Sequence, residues 1–180
     1  MGYSLSIGKQ ETLEWFQQNQ KSISRILDIG AGSGTYINLI KLKNSICTKA
    51  EWVAIEAWDN YIKEFSLEEK YNTVINQDVR TIDWNSLGKF SVAIAGDVLE
   101  HMTKEEAITL VENVLSNCQT LIISIPIVHM PQDEVNGNPF EVHVKDDWSH
   151  DEVMTTWAPY IKLVYRKSSK SKLAVYWLSK

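Results

Sequence analysis

Cysteine is scarce in this chain. Only Cys47 and Cys118 occur in 180 residues, and neither sits in a C-x-x-C pair. That argues against a disulfide framework or a thiolate zinc site, and both read as small buried hydrophobes. Long apolar runs are also missing: stretches such as Leu121 to Ile125 have strand length, far below the roughly 20 residues that span a bilayer. No Lys/Arg-flanked apolar core stands at the N-terminus, so a cytoplasmic protein without a membrane partner is expected. There is no internal repeat and no composition break that would mark a second domain.

Excess positive charge is lacking too. The net charge is −5, which disfavours a broad phosphate-binding surface and a nucleic-acid partner without excluding either. The charge is unevenly spread. Lys162, Arg166, Lys167, Lys170, Lys172 and Lys180 follow the last acid, Glu152, so the remaining 12 cations face all 23 acids over residues 1–161. A solvated hairpin tip or a binding patch would both account for the basic end.

What is present is organised around Ile26 to Tyr36, an apolar strand running into Gly30-Ala31-Gly32-Ser33-Gly34. Three alternating glycines let the backbone reverse and let a ligand approach it closely, and the following helix offers unpaired N–H groups. A G-x-G-x-x-G dinucleotide fingerprint would need glycine at position 35, where Thr35 stands.

The remaining elements alternate. A leading amphipathic helix is expected within residues 1–22, over about 8–20. Strands are expected at Ile23–Ile29, Glu51–Glu56, Thr73–Gln77, Phe90–Ala95 and Thr120–Ile125. Helices are expected from Gly34 to about Ile46, from Asp59 to about Phe65 with Asp59 as cap, and after Thr103. There Thr103-Lys104-Glu105-Glu106 has capping-box order, with Ile108, Val111 and Leu115 at helical spacing. Residues 127–148 carry Pro131, Gly137 and Pro139 and read as a loop, long enough to suggest a substrate-side lid. A short helix from Ser149 to Trp157, again opened by a capping-box pattern, and a hairpin of Ile161–Tyr165 with Leu173–Leu178 close the chain.

Acids mark the strand ends. Glu56, Asp78 and Asp97 follow three successive strands, where ligands of open parallel sheets gather. Glu56 can accept two ribose hydroxyls. Asp78 can pair with Arg80 or cap the next turn.

The pattern Asp28-Ile29-Gly30-Ala31-Gly32-Ser33-Gly34, with Glu56 and with Asp97-Val98-Leu99-Glu100-His101, resembles the class I S-adenosylmethionine (SAM)-dependent methyltransferases. The resemblance implies one α/β domain over residues 1–180, a Rossmann-like three-layer sandwich. Its seven-stranded, mostly parallel sheet would have the order 3-2-1-4-5-7-6 and an antiparallel C-terminal strand. It implies that Asp28, Gly30, Ala31, Gly32 and Gly34 line the methionine part of SAM, that Glu56, Ala57 and Trp58 meet the ribose and adenine, that Asp78 and Val79 read the adenine with an acid accepting from its amine, and that Asp97, with Val98, faces the methionine part or the substrate entrance. The product would be S-adenosylhomocysteine (SAH).

For a base the candidates are His143 and His101, with His129, Glu141 and His150 as rivals, imidazole being suited to proton transfer near neutral pH. No metal is expected. Sets such as His143 with Asp146 and His150, or Glu141 with His143, lack known zinc spacing. The N/D-P-P-Y/F signature is absent, which favours a small-molecule acceptor; a monomer or homodimer is expected. Alternatives are a SAM-binding but catalytically silent module, or an aminopropyltransferase or NAD(P)-dependent enzyme on a related fold, with Asp97 and Glu100 as a loose acid pair.

Overall fold

The computed structural model describes residues 6–180. Seven strands, β1 (Arg25–Ile29), β2 (Glu51–Glu56), β3 (Thr73–Asn76), β4 (Phe90–Gly96), β5 (Cys118–Pro126), β6 (Ile161–Tyr165) and β7 (Leu173–Leu178), form one sheet. Their order is β3-β2-β1-β4-β5-β7-β6. β1 to β5 pair in parallel, while β7 runs antiparallel to both β5 and β6. Fold class and strand order therefore agree with the expectation drawn from the sequence.

The helices are α1 (Lys9–Asn19), α2 (Thr35–Ile37, continued in π geometry over Asn38–Lys43), α3 (Asp59–Glu64), α4 (Leu67–Lys70), α5 (Lys104–Asn117) and α6 (His150–Thr156). Because successive strand residues point to opposite faces, β1 supplies both halves of the core. Leu27 and Ile29 join Val53, Ile55, Ala93 and the inner face of α5, with Trp148 and Trp157 closing that layer. Ile26 joins Trp52, Ala54, Val92, Ile94 and Ile122 under α1 and α2, with Phe16 and Ile40 fully buried among them. Each such aliphatic or aromatic side chain contributes about 1.5–3 kcal/mol by leaving water.

Local differences have local causes. The first strand begins at Arg25 because the Ser24 N–H is taken by the Ser91 hydroxyl at 3.0 Å. The first crossover helix stops at Lys43, where the Asn44 side chain donates to the Leu39 carbonyl at 2.7 Å. Asp59 is the first helical residue of α3 rather than its cap, and its carboxylate pairs with Lys63 one turn on. The Thr103 capping box is complete. At α6 the Ser149 hydroxyl accepts from the Glu152 N–H, but the Glu152 carboxylate turns to Lys104 and Lys145 instead of back to the cap.

Residues 127–148 contain only a 3₁₀ turn, Pro139–Glu141, and one isolated bridge between Val135 and Asn138. Backbone bonds tether this segment across the C-terminal ends of the strands. Ile127 N–H donates to Lys172 O (2.8 Å), and Val144 and Lys145 N–H both donate to Glu100 O (2.9 and 3.0 Å). Among the described residues no helix is long and apolar enough to cross a membrane.

Candidate active site

The sheet reverses its direction of growth between β1 and β4, the switch point where open parallel sheets leave a crevice. A cleft of about 490 Å³ lies there, a size suited to a small ligand. Its walls are the turn after β1, the ends of β2 and β4, the turn after β3, and the 127–148 segment.

The glycine turn is held from two sides. Gly30 and Ala31 N–H both donate to Ile55 O, at 2.8 and 3.2 Å, tying the turn to β2. Gly32 N–H donates to Glu56 Oε2 (2.8 Å), while Trp58 N–H donates to Glu56 Oε1 (2.9 Å). Each oxygen of this buried carboxylate is thus oriented by one backbone donor and keeps a lone pair for a ligand. Burial raises the Glu56 pKa, and the Trp58 and Gly32 N–H groups oppose that rise. At Gly30, φ is +63° and a Cβ would stand 2.8 Å from Val98 Cγ2, so the turn and its approach to Val98 both require glycine.

β4 ends in a second tight arrangement. Asp97 adopts φ 57°, a left-handed conformation that costs a non-glycine residue about 1 kcal/mol or more. Its N–H donates to Ser124 O at 2.8 Å, and the Ser124 hydroxyl donates to Asp97 Oδ1 at 3.0 Å. A Cβ at the preceding Gly96 would lie 2.4 Å from the Tyr36 ring.

Beneath them, Lys9 of α1 donates from Nζ to Tyr36 Oη (2.7 Å). Burial lowers the Lys9 pKa to about 8, with Asp97, Asp28 and Glu100 pulling the other way. Asp28, itself buried, accepts from Tyr71 Oη at 2.5 Å. Burial pushes its carboxyl up to about 7, offset by the Tyr71 hydrogen bond and the Lys9 charge.

Of the residues expected to meet a cofactor, Gly30, Ala31, Gly32, Glu56, Ala57, Asp78, Val79, Asp97 and Val98 line the cleft. Asp28, Gly34 and Trp58 stand behind its wall. Asp28 supports from below through Tyr71, and Trp58 packs edge-on against Phe140 with ring centroids 6.5 Å apart. Asp78 faces the cleft but also accepts from the Arg80 N–H and guanidinium and caps the turn Val79–Thr81, which lowers its pKa.

His101 and His143 also line the cleft, ring centroids 4.9 Å apart with an interplanar angle of 69°. His101 Nδ1 meets the Val142 carbonyl at 3.1 Å, and His143 Nδ1 meets the Met130 carbonyl. A carbonyl only accepts, so Nδ1 carries the proton and Nε2 carries the lone pair of each neutral ring. Burial lowers the His101 pKa, which favours the neutral form. Glu100, buried beside them, has its pKa raised well above the usual carboxylate range by burial and then by Asp97.

His143 is therefore grouped with Glu100 and His101, not with Asp146 and His150. Nδ1 of His150 pairs with Tyr176 Oη at 2.7 Å, and neither His150 nor the exposed His129 lines the cleft. Sequence reasoning missed Tyr36, Met130, Gln132 and Phe140 as cleft components, and Lys9 as the residue that bonds Tyr36 from outside the cleft lining. Of these only Tyr36, directly after the glycine turn, carried a positional signal.

Solved structures share this architecture. The N-terminal domain of EvdMO1 with SAH bound superposes with a TM-score of 0.70 at 14% identity, over 97% of this chain and 82% of that one. A SAM-dependent methyltransferase from Clostridium acetobutylicum ATCC 824 gives 0.71 at 10%, over 97% and 92%. Magnesium protoporphyrin IX methyltransferase (ChlM) from Synechocystis PCC 6803 with bound SAM gives 0.66 at 16%, over 96% and 78%. The chain has the class I SAM-dependent methyltransferase fold. Within that fold the cleft just described occupies the switch-point crevice. Neither a protein-family model nor a curated sequence matches the chain.

Proposed function

We propose that this protein transfers the sulfonium methyl group of SAM to a small-molecule acceptor held beneath residues 127–148. The observation that carries this reading is Glu56, a buried carboxylate at the end of β2. Backbone donors from the glycine turn and from Trp58 fix it so that its remaining lone pairs are available to two ribose hydroxyls. Asp78 and Val79 would border the adenine, with Trp58 and Phe140 at the edge. Gly30, Ala31, Gly32, Asp97 and Val98 would border the methionine part, with Asp28 and Gly34 shaping that wall from behind. Neighbouring folds crystallised with SAM or SAH support the choice of cofactor, and the mitomycin 7-O- and plantazolicin methyltransferases among them support a small acceptor.

The methyl group of SAM is already activated, so the protein has to align an acceptor behind the S–CH₃ bond and exclude water. The 127–148 segment would do the excluding. Its Glu141 carboxylate accepts from Tyr61 Oη at 3.0 Å, and its Gln132 side chain donates to Glu141 O at 2.6 Å, closing the roof onto α3. Beside the methyl donor, His101 and His143 would act on an acceptor hydroxyl, either as bases or by holding a cation that acidifies it.

Calorimetric titration of the purified protein with SAM and SAH tests the cofactor, with Gly32→Arg as the control that fills the cradle. Saturable SAH binding lost in Gly32→Arg is expected, and binding of NADH but not SAM would overturn the reading. Methyl release onto a panel of hydroxylated small molecules then tests turnover, and SAM binding with no turnover on any of them would favour a silent regulatory module.

A further inference from the structure

Three donor groups meet at the acceptor end of the cleft. One carboxylate oxygen of Glu100 and one ring nitrogen each of His101 and His143 lie within 4.8 Å of one another. Glu100 is 1% exposed, and its Oε2 has no hydrogen-bond partner among the described residues, an expensive state for a buried carboxylate oxygen. Both imidazoles use Nδ1 on a backbone carbonyl. That is the outer-sphere arrangement that fixes the tautomer and aims Nε2 of a metal-bound histidine. The Glu100 carbonyl accepts from Val144 and Lys145, so the backbone itself clamps His143 against the Glu100–His101 turn.

We propose that Glu100, His101 and His143 form a binding site for a divalent first-row transition-metal cation such as Zn²⁺, Mn²⁺ or Co²⁺, which in turn ligates a hydroxyl oxygen of the acceptor. This departs from the metal-free site expected from the sequence. Two imidazoles and one carboxylate suit ions of this class and leave further positions open. Bonds of about 2.0–2.2 Å would draw the three donor atoms to about 3–3.5 Å from one another, a closure that side-chain rotation supplies. The cation would satisfy the orphaned Glu100 oxygen.

The assignment of a hydroxyl acceptor rests on the methyl-transfer reading above. The bound hydroxyl, made more acidic by the cation, gives its proton to water. Its oxygen then forms the new O–C bond as the C–S bond breaks, and the electron pair of that bond stays on sulfur, leaving neutral SAH. An acceptor with two adjacent oxygens would chelate the open positions.

Whole protein stripped with chelator is titrated with Co²⁺ alone and followed by its visible absorption bands. One equivalent per chain is expected. In Glu100→Gln and in His143→Asn, each checked for cooperative thermal unfolding, the dissociation constant should rise at least a hundredfold. If a variant does not fold, ¹⁵N spectra of histidine-labelled wild-type protein carry the test. Zn²⁺ should move the Nε2 resonances of two of the four histidines. Substoichiometric Co²⁺, affinity untouched by either folded variant, or unmoved histidine resonances would each overturn the site. Catechol added to the Co²⁺ protein should shift the bands, whereas phenol should shift them less; bands unmoved by catechol would overturn the hydroxyl assignment. SAH binding to the stripped protein is measured in parallel. Cation binding without SAH binding would sink methyl transfer and keep the site, and the converse would sink the site alone.

Discussion

Tyr71 donates its phenolic hydrogen to Asp28 at 2.5 Å, joining the end of α4 to the middle of β1 beneath the glycine turn. The bond offsets only part of the cost of burial. The Asp28 carboxyl has a pKa near 7 in the folded chain against about 3.8 when unfolded. Between those values the native state holds a proton that the unfolded chain releases, so this group's contribution to stability falls as pH rises from about 4 to about 7. The full difference is on the order of 4 kcal/mol.

Asp28→Asn keeps the acceptor for Tyr71 and removes the titration. Denaturant unfolding at pH 5 and pH 8 should show the wild type losing stability over this interval by about 2–3 kcal/mol more than the variant does. Equal losses in both would refute the assignment of the titrating proton to Asp28.

Glu56→Gln replaces one of the two accepting oxygens by an amide that cannot accept from Gly32 or Trp58 N–H. SAH affinity should fall at least tenfold, about 1.4 kcal/mol, in calorimetry. The melting temperature should move little, because relief of a buried charge opposes the lost bond.

Gly96→Ala drives a methyl group into the Tyr36 ring. Tyr36 is buried, so the overpacking should cost about 1–3 kcal/mol and weaken SAH binding by displacing Tyr36 from the cleft wall. Gly137→Ala is the control. Its Cβ would meet nothing within 4 Å, leaving only the strain of φ +75°, about 1 kcal/mol. Thermal unfolding of the two variants separates crowding from backbone strain.

Tyr61→Phe deletes the hydroxyl that bonds Glu141 across the cleft. Stability should change by no more than about 1 kcal/mol, while stopped-flow dissociation of SAH should speed up several-fold if residues 127–148 roof the ligand. An unchanged dissociation rate would remove Tyr61 as the latch.

Much of this architecture is written locally. Apolar strand runs each ending at or near an acid, glycines at 30, 32 and 34, and the Thr103 capping box are patterns of neighbouring residues. Their physics acts within a few residues, through side-chain alternation, left-handed backbone and N–H capping. Hence the strands themselves, the glycine turn and the strand-end acids, Glu56 included, could be placed before any coordinates, while the strand order followed from the resemblance to the class I methyltransferases. Even there the Asp59 cap failed, since one helical turn lets the same carboxylate pair with Lys63.

The part of the cleft around His101 and His143 obeys no such local pattern. Lys9 reaches Tyr36 because α1 packs over α2. His143 reaches Glu100 and His101 because backbone N–H groups of residues 144 and 145 bond a carbonyl on the far side of α5 in the sequence. Those contacts depend on how the chain closes long loops, and no spacing of residue types encodes them. The sequence alone determined the sheet, the glycine turn and the row of strand-end carboxylates. The tertiary structure decided that two histidines and a buried glutamate, one of whose oxygens lacks a hydrogen-bond partner among the described residues, would come together in the cleft.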